Sequence, residues 1–419
     1  MSPVRILLWH GYLLGGTGSN VYTRQLAREW SLAGHDVTVL SQEPRPEAYD
    51  LGHAAVVRPD VHGFLPVFVL DRYEGYEVRR VQDCAREELD AWVYANAAAI
   101  RALLPADLVF ANHVLLGGPV GAATGARYAV KAHGSELEYS MRGNPELERW
   151  GRESLERAAA TFVGSAHIRT VLEEVCGRVE RVHEVPPGVD VELWKPEERG
   201  AALQAVVREA RLDAPNPGNG DERQPDEGNA ARLEAFLTAD GPTVVFFGKL
   251  IEQKGVDVLL DAFAGLDARL VVVGFGPERE RLERRARAEG VRCLFTGPLE
   301  HRHLRHLLAL ADSCVVPSVF PEAFGMVAAE AAAAGCPPVV ARHSGLAEVA
   351  AGLEGALPPD LARLVSFPNG DAAALHDRLA ALCALGPDDR ALLRATVRHV
   401  VEERWSWASV AEQLLAASR

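Results

Sequence analysis

The feature that most constrains this chain is an alternation of short apolar runs with longer amphipathic stretches, which restarts after residue 240. Strands covered on both faces read as continuous apolar runs, and crossover helices between them make the sheet parallel. In the first half, strands are expected at Val4–Trp9, Asp36–Ser41, Asp107–Ala111, Tyr128–Ala132, Thr161–Gly164 and Val182–Val185, with helices at Asn20–Ala33, Val81–Leu103, Pro145–Ala158 and Ala166–Val175. In the second half the strands fall at Thr243–Phe247, Arg269–Val273, Arg292–Phe295, Ser313–Val316, Pro338–Ala341 and Ala362–Ser366. The expectation is an α/β protein of two doubly wound domains in series, which suits a chain of 419 residues. The polar, Pro- and Gly-rich stretch 213–230 has no apolar face and is expected to be a mobile insertion. The domains are then 1–187, 188–398, and a C-terminal piece 399–419 whose helix Glu403–Ala417 carries Trp405 and Trp407 and needs a surface to cover.

Composition removes several classes of function. A net charge of -14 disfavours a general nucleic-acid binder and offers no basic anchor for an anionic membrane. No apolar run approaches the ~18 residues of a membrane span, and no signal peptide is apparent. The six cysteines form no CxxC and read as reduced thiols, so a cytoplasmic protein is expected.

Candidate chemistry gathers where strands give way to helices. Gly15-Gly16-Thr17-Gly18-Ser19-Asn20 follows the first strand. It suits either a tight turn or close backbone approach to a phosphate at a helix N-terminus. The spacing is not GxGxxG, and Ser41 and Gln42 stand where a ribose-binding acid would be, which disfavours a nicotinamide dinucleotide site. Lysine is scarce, with only Lys131, Lys195, Lys249 and Lys254, yet two of the four flank the turn after Thr243–Phe247. Paired cations suit a diphosphate, the alternative being two solvated lysines. Glu322 and Glu330 bracket Phe324-Gly325-Met326-Val327 at a helix start. The pair suits a polyhydroxylated ligand held by carboxylates and a phosphate held by amides, or else a dipole-favoured acid plus a satisfied buried Glu. His133, in His133-Gly134-Ser135-Glu136, and Asn112-His113 end neighbouring strands and suit either a cleft or a structural role. His301, His303 and His306 read as a solvated helix face more readily than as a metal site. No GxSxG elbow and no GxxxxGK[ST] loop is present.

Taken in order and spacing, these segments resemble the retaining nucleotide-sugar glycosyltransferases of family 4, the group 1 glycosyltransferases. The carrying motifs are Gly15-Gly16, His133-Gly134-Ser135, Val185-Pro186-Pro187-Gly188-Val189-Asp190, Gly248-Lys249-Leu250 with Lys254-Gly255, Leu270–Pro277, and the E-x7-E from Glu322 to Glu330. The resemblance implies the GT-B fold, two Rossmann-like domains facing across a cleft. It implies that Glu330 holds ribose hydroxyls, that Glu322 with backbone at Phe324 and Gly325 holds the transferred hexose, and that Lys249 and Lys254 neutralise the diphosphate, helped by backbone at Gly16, Met326 and Val327. It places His133 near the donor sugar and the base near Pro298-Leu299. The family usually has Arg where Lys249 stands, which keeps the charge but loses the planar fork.

The expected reaction is transfer of a hexosyl group from a nucleoside diphosphate sugar, of the UDP-glucose type by family frequency. Retention, no metal and no cofactor are implied by the same resemblance. The acceptor is expected beside Asn112, His113, Glu136, Tyr139 and Arg142, and the acidic, polar character of that segment favours a soluble polar acceptor. A sugar-nucleotide epimerase, a glycosyl phosphorylase and a non-catalytic sugar-nucleotide sensor are the competing classes. The first would form product without an acceptor, the second would need free phosphate, and the third would bind donor without turnover.

Overall fold

The computed structural model describes residues 3–15, 18–69, 73–216 and 222–419. The chain divides into two units, Met1–Gly188 with Trp407–Arg419, and Val189–Ser406.

The first unit is built on strands β1 (Arg5–Trp9), β2 (Asp36–Leu40), β3 (Ala55–Val57), β4 (Phe64–Val67), β5 (Glu77–Arg80), β6 (Leu108–Asn112), β7 (Tyr128–Lys131), β8 (Ala160–Val163) and β9 (Val182–Glu184). Seven of them form one parallel sheet in the order β3-β2-β1-β6-β7-β8-β9, and β4 pairs with β5 alongside. The run Ile6-Leu7-Leu8-Trp9 serves both faces, because side chains alternate along a strand. Leu7 and Trp9 enter one core with Trp92, Val120 and Trp150, whereas Ile6 and Leu8 enter another with Tyr22, Leu26 and Trp30. The second core is completed by Trp407, Val410 and Leu414 from the C-terminal helix Trp407–Ala417. Trp30 Nε1 donates to Ala411 O at 2.9 Å, and the Arg127 guanidinium donates to Ser418 O at 2.8 Å, so polar contacts fix this helix as well.

The second unit holds β10 (Thr243–Phe247), β11 (Arg269–Val273), β12 (Cys293–Phe295), β13 (Ser313–Val316), β14 (Pro338–Ala341) and β15 (Ser366–Phe367), all parallel, in the order β12-β11-β10-β13-β14-β15. In each unit the strand order reverses beside the first long strand, at β1/β6 and at β10/β13. That switch point is where open α/β sheets leave a crevice beyond the strand carboxyl ends.

Four expectations are corrected in detail. The strand expected over Ala362–Ser366 is Ser366–Phe367, because Pro359 opens a helical turn Pro359–Ala362. The helix expected over Val81–Leu103 is a 3₁₀ turn Val81–Asp83 followed by the helix Arg86–Arg101, with extended Ala85 giving its N–H to Glu88 at 2.9 Å. The single helix expected over Glu403–Ala417 is broken. Val401–Trp405 is a π turn, Ser406 is extended, and Val189 donates its N–H to Trp405 O at 2.6 Å. Trp405 therefore packs in the second unit, edge-on to Phe324 at 5.6 Å, and Trp407 in the first, 5.3 Å from Tyr22. Finally, the stretch 213–230 is anchored on both sides of residues 217–221, which lie outside the described residues. Asp213 pairs with Arg302 at 2.5 Å and Asp226 with Arg279 at 2.5 Å, and a helix begins at Asn229. Burial alone would raise the Asp226 carboxyl, but Arg279 and Arg232 outweigh it and hold the group ionised.

Candidate sugar-nucleotide site

The second unit sets its charged groups at the β10/β13 switch point. Beyond β10 the chain turns through Gly248, Lys249 and Leu250, and the Gly274–Gly276 loop beyond β11 lies directly on it. Leu250 donates to Phe275 O at 2.8 Å, and a Cβ on Gly274, where φ is 149°, would fall on Gly248 O. Lys249 is exposed and has no ion-pair partner among the described residues. Lys254 closes the 3₁₀ turn Glu252–Lys254, and Gly255 follows at φ 66° with no room for a side chain against Pro317 O. That close approach brings the turn to the segment beyond β13, where Val319 donates to Gln253 O at 3.0 Å. As a result the Lys254 ammonium donates to Glu322 Oε1, an acceptor shared with Ser318 Oγ at 2.7 Å.

Sequence reasoning missed the frame that holds Glu322. Its N–H donates to Ser344 Oγ at 2.9 Å, and its carbonyl accepts from Gly345 N at 3.0 Å. His343 Nε2 lies 2.6 Å from Ser318 O and its Nδ1 lies 3.2 Å from Ser344 Oγ, which links the segments after β13 and β14. Phe324 is buried, and Gly325 at φ 116° caps the helix Met326–Ala333, whose first two amides, at Met326 and Val327, stand ahead of its first internal hydrogen bonds, which run from Ala328 and Ala329 to Gly325 O. Glu330 lies one turn further on in this alanine-rich helix, and its apolar surroundings push its carboxyl up to about 8. Leu299 is buried beyond β12. The histidines on the helix His301–Leu310 are not a solvated face. His303 and His306 are buried, 3.0 Å from Asp213 and 2.7 Å from Glu197, while His301 is exposed.

In the first unit the β1/β6 switch point collects His10, Asn112 and His113, with His133 just beyond β7. His133 is half-buried, and its Nε2 lies 2.7 Å from Asn112 Oδ1. Glu136 Oε1 accepts the main-chain N–H of His133 at 2.9 Å and of Val114 at 3.2 Å, while Oε2 lies 3.3 Å from His113 Nδ1. Burial would raise the Glu136 carboxyl, but these donors and His113 bring it below its ordinary value. Asn112, His113 and Glu136 are thus buried parts of the frame around His133, which corrects their reading as a polar acceptor surface. Tyr139 is exposed, and Arg142 is tied to Glu138 at 2.8 Å and Glu174 at 3.0 Å. Gly15 accepts from Asn20 Nδ2, and Gly16 lies outside the described residues. His10 and buried Lys131 were missed. Burial brings His10 down to about 3 and Lys131 down to about 7, and Lys131 donates to Val185 O at 2.8 Å. The rule that pointed to Asn112 and His133, a polar side chain ending a parallel strand, also finds His10 after β1.

Two family models match. "Glycosyl transferases group 1" covers residues 232–397 and "Glycosyltransferase Family 4" covers residues 16–193. D-inositol 3-phosphate glycosyltransferases of Mycobacterium tuberculosis and Mycobacterium bovis are 35% identical over 220 residues, which is 50% of this chain and 44% of theirs. The match thus spans less than half the length of these curated relatives. Among solved structures, sucrose-phosphate synthase from Thermosynechococcus elongatus aligns over 98% of both chains at 22% identity and a TM-score of 0.61. HepE from Anabaena in complex with UDP and glucose aligns over 99% of this chain and 98% of its own, at 17% identity and a TM-score of 0.63.

Proposed function

Since this chain belongs to the group 1 glycosyltransferases and shares the GT-B fold, we propose that it transfers a hexosyl group from a nucleoside diphosphate sugar to a polar acceptor. The observation that carries this reading is the ion pair of Lys254 with Glu322 at the β10/β13 switch point, with Lys249 on the turn beyond β10 and Glu330 in the helix that follows Glu322. Breaking the bond between sugar and diphosphate leaves negative charge on the phosphate oxygens. Cations already in place stabilise that charge more in the transition state than in the ground state. Lys249, with no ion-pair partner among the described residues, offers its charge to the phosphates. Lys254, held by Glu322, meets the diphosphate as one side of an ion pair, so its carboxylate partner stays oriented for sugar hydroxyls. Glu330 suits the ribose hydroxyls, and the amides at Met326 and Val327 suit a phosphate.

UDP-glucose is the proposed donor, supported by the UDP and glucose held by the structural relative HepE. A soluble polar acceptor is proposed, supported by the inositol phosphate named for the mycobacterial relatives. We also propose retention of anomeric configuration and no need for a divalent metal, with the two lysines serving as counter-ions. The test is a thermal-shift panel of UDP-, GDP- and ADP-sugars with and without EDTA, followed by NMR of the anomeric proton of the product. Selective stabilisation by a UDP-sugar that survives EDTA, and an axial product from an axial donor, are expected. No stabilisation by any sugar nucleotide would overturn the reading.

A further inference from the structure

The hydrogen bonds behind His133 determine which of its nitrogens carries the proton. The Asn112 amide nitrogen lies 3.2 Å from Thr23 Oγ1 and 3.4 Å from Trp9 O. The Trp9 carbonyl can only accept, and the Thr23 hydroxyl donates its hydrogen to Ser19 O at 2.8 Å, so it too accepts from the amide. The NH₂ of Asn112 must therefore face Thr23 and Trp9, which leaves its Oδ1 toward His133. An amide oxygen only accepts, so the ring nitrogen 2.7 Å away, Nε2, must be the one bearing hydrogen.

From this geometry we propose that Asn112 and Thr23 act as positioning residues that fix His133 as its Nε2–H tautomer, so that Nδ1 stands as a hydrogen-bond acceptor for a sugar hydroxyl. The main chain is held independently, because Glu136 takes the His133 N–H at 2.9 Å. Ring and backbone are thus fixed from opposite ends, and Tyr22 stands edge-on to the ring at 5.1 Å. Burial, with His113, Lys131 and His10 nearby, holds the imidazolium of His133 well below its ordinary range, so the neutral ring with one lone pair is the form present near neutral pH. A bare imidazole nitrogen takes a hydroxyl hydrogen and repels a carboxylate. The site therefore suits a neutral hexose over a uronic acid. The hydroxyl belongs to the transferred sugar or to the acceptor, and this last part rests on the functional reading above.

The test uses the full chain labelled with ¹⁵N-histidine, with His133→Gln to assign the signals. The wild type is expected to show a protonated Nε2 with a sharp ring N–H proton, and a bare Nδ1. Asn112→Leu and the nearly isosteric Thr23→Val should broaden that proton into exchange, and Asn112→Asp, which keeps an acceptor oxygen, should retain it. An Nδ1–H ring in the wild type, or a ring proton unchanged in Asn112→Leu, would overturn the proposal. In binding, affinity for UDP-glucose should fall about tenfold in Thr23→Val while affinity for UDP alone is unchanged, or the KM for the acceptor should rise by a similar factor. Equal losses for UDP and UDP-glucose with no change in acceptor KM would overturn the hydroxyl assignment. A wild-type chain that binds no UDP-glucose would strike the functional reading, and the tautomer is judged by the NMR signals alone.

Discussion

Glu330 carries a carboxyl that titrates near 8 instead of near 4.5, because an apolar helix surrounds it. Its neutral form predominates at pH 7 in the unliganded chain. In the proposed role, ribose hydroxyls would donate hydrogen bonds to Glu330 and favour its ionised form, so nucleotide binding would pull the pKa down. UDP is therefore expected to release a proton on binding at pH 7, and its affinity should rise between pH 6 and 8. Calorimetry in buffers of different ionisation enthalpy measures this directly, and Glu330→Gln should abolish both effects. Lys254 makes a different prediction. In the proposed role its charge would stabilise the departing leaving group, so Lys254→Ala should lower kcat on the order of 10²-fold. Lys249→Arg should leave kcat within a few-fold, because the charge is kept. A Lys254→Ala enzyme with unchanged kcat and raised KM would show that the lysine binds without assisting departure.

Elements explain where these residues stand. Gly274 at φ 149° lies so close to Gly248 that any side chain would enter the Gly248 carbonyl. Gly274→Ala should therefore cost about 2 kcal/mol or more and weaken nucleotide binding through the displaced Lys249 turn. Urea titration and UDP binding check the two effects. Most of the parallel strands and the lysine and glutamate positions were legible, because each leaves a local trace: an apolar run, a glycine turn, a charge beside it, whereas the strands Ala55–Val57, Phe64–Val67 and Glu77–Arg80 and the order of the sheets were not foreseen. The buried frame was not. Glu136 sits in a polar segment and His303 in a charged one, and their burial depends on partners far along the chain, Val114 and Asp213. The broken C-terminal helix was hidden for the same reason, since periodicity continues through Ser406 and only the bond from Val189 to Trp405 interrupts it.

At the scale of the molecule, the two units have separate hydrophobic cores. Thermal unfolding is expected to show two components, with Trp407→Ala, a loss of about 3–5 kcal/mol, shifting one and Gly274→Ala the other. Calorimetry of the two variants distinguishes this from a single cooperative transition. Acid also titrates a buried group of the first unit. Folded His10 titrates near 3, while an unfolded histidine takes its proton near 6.5. The unfolded chain binds that proton first, so stability present above pH 6.5 is lost as the pH falls toward 3. Denaturation midpoints at pH 7 and pH 5 should therefore differ more for the wild type than for a His10→Phe variant.

The chain leaves the first unit at Gly188 and comes back to it only at Trp407. On the ribosome this inverts the usual order of maturation. The segment up to Gly188 must wait with the face around Ile6, Leu26 and Trp30 uncovered until the helix Trp407–Ala417 is made, while the segment synthesised in between can finish folding before it. A stop before Trp407 would thus damage a segment synthesised long before it, and a nascent chain halted there should offer that bare face to chaperones.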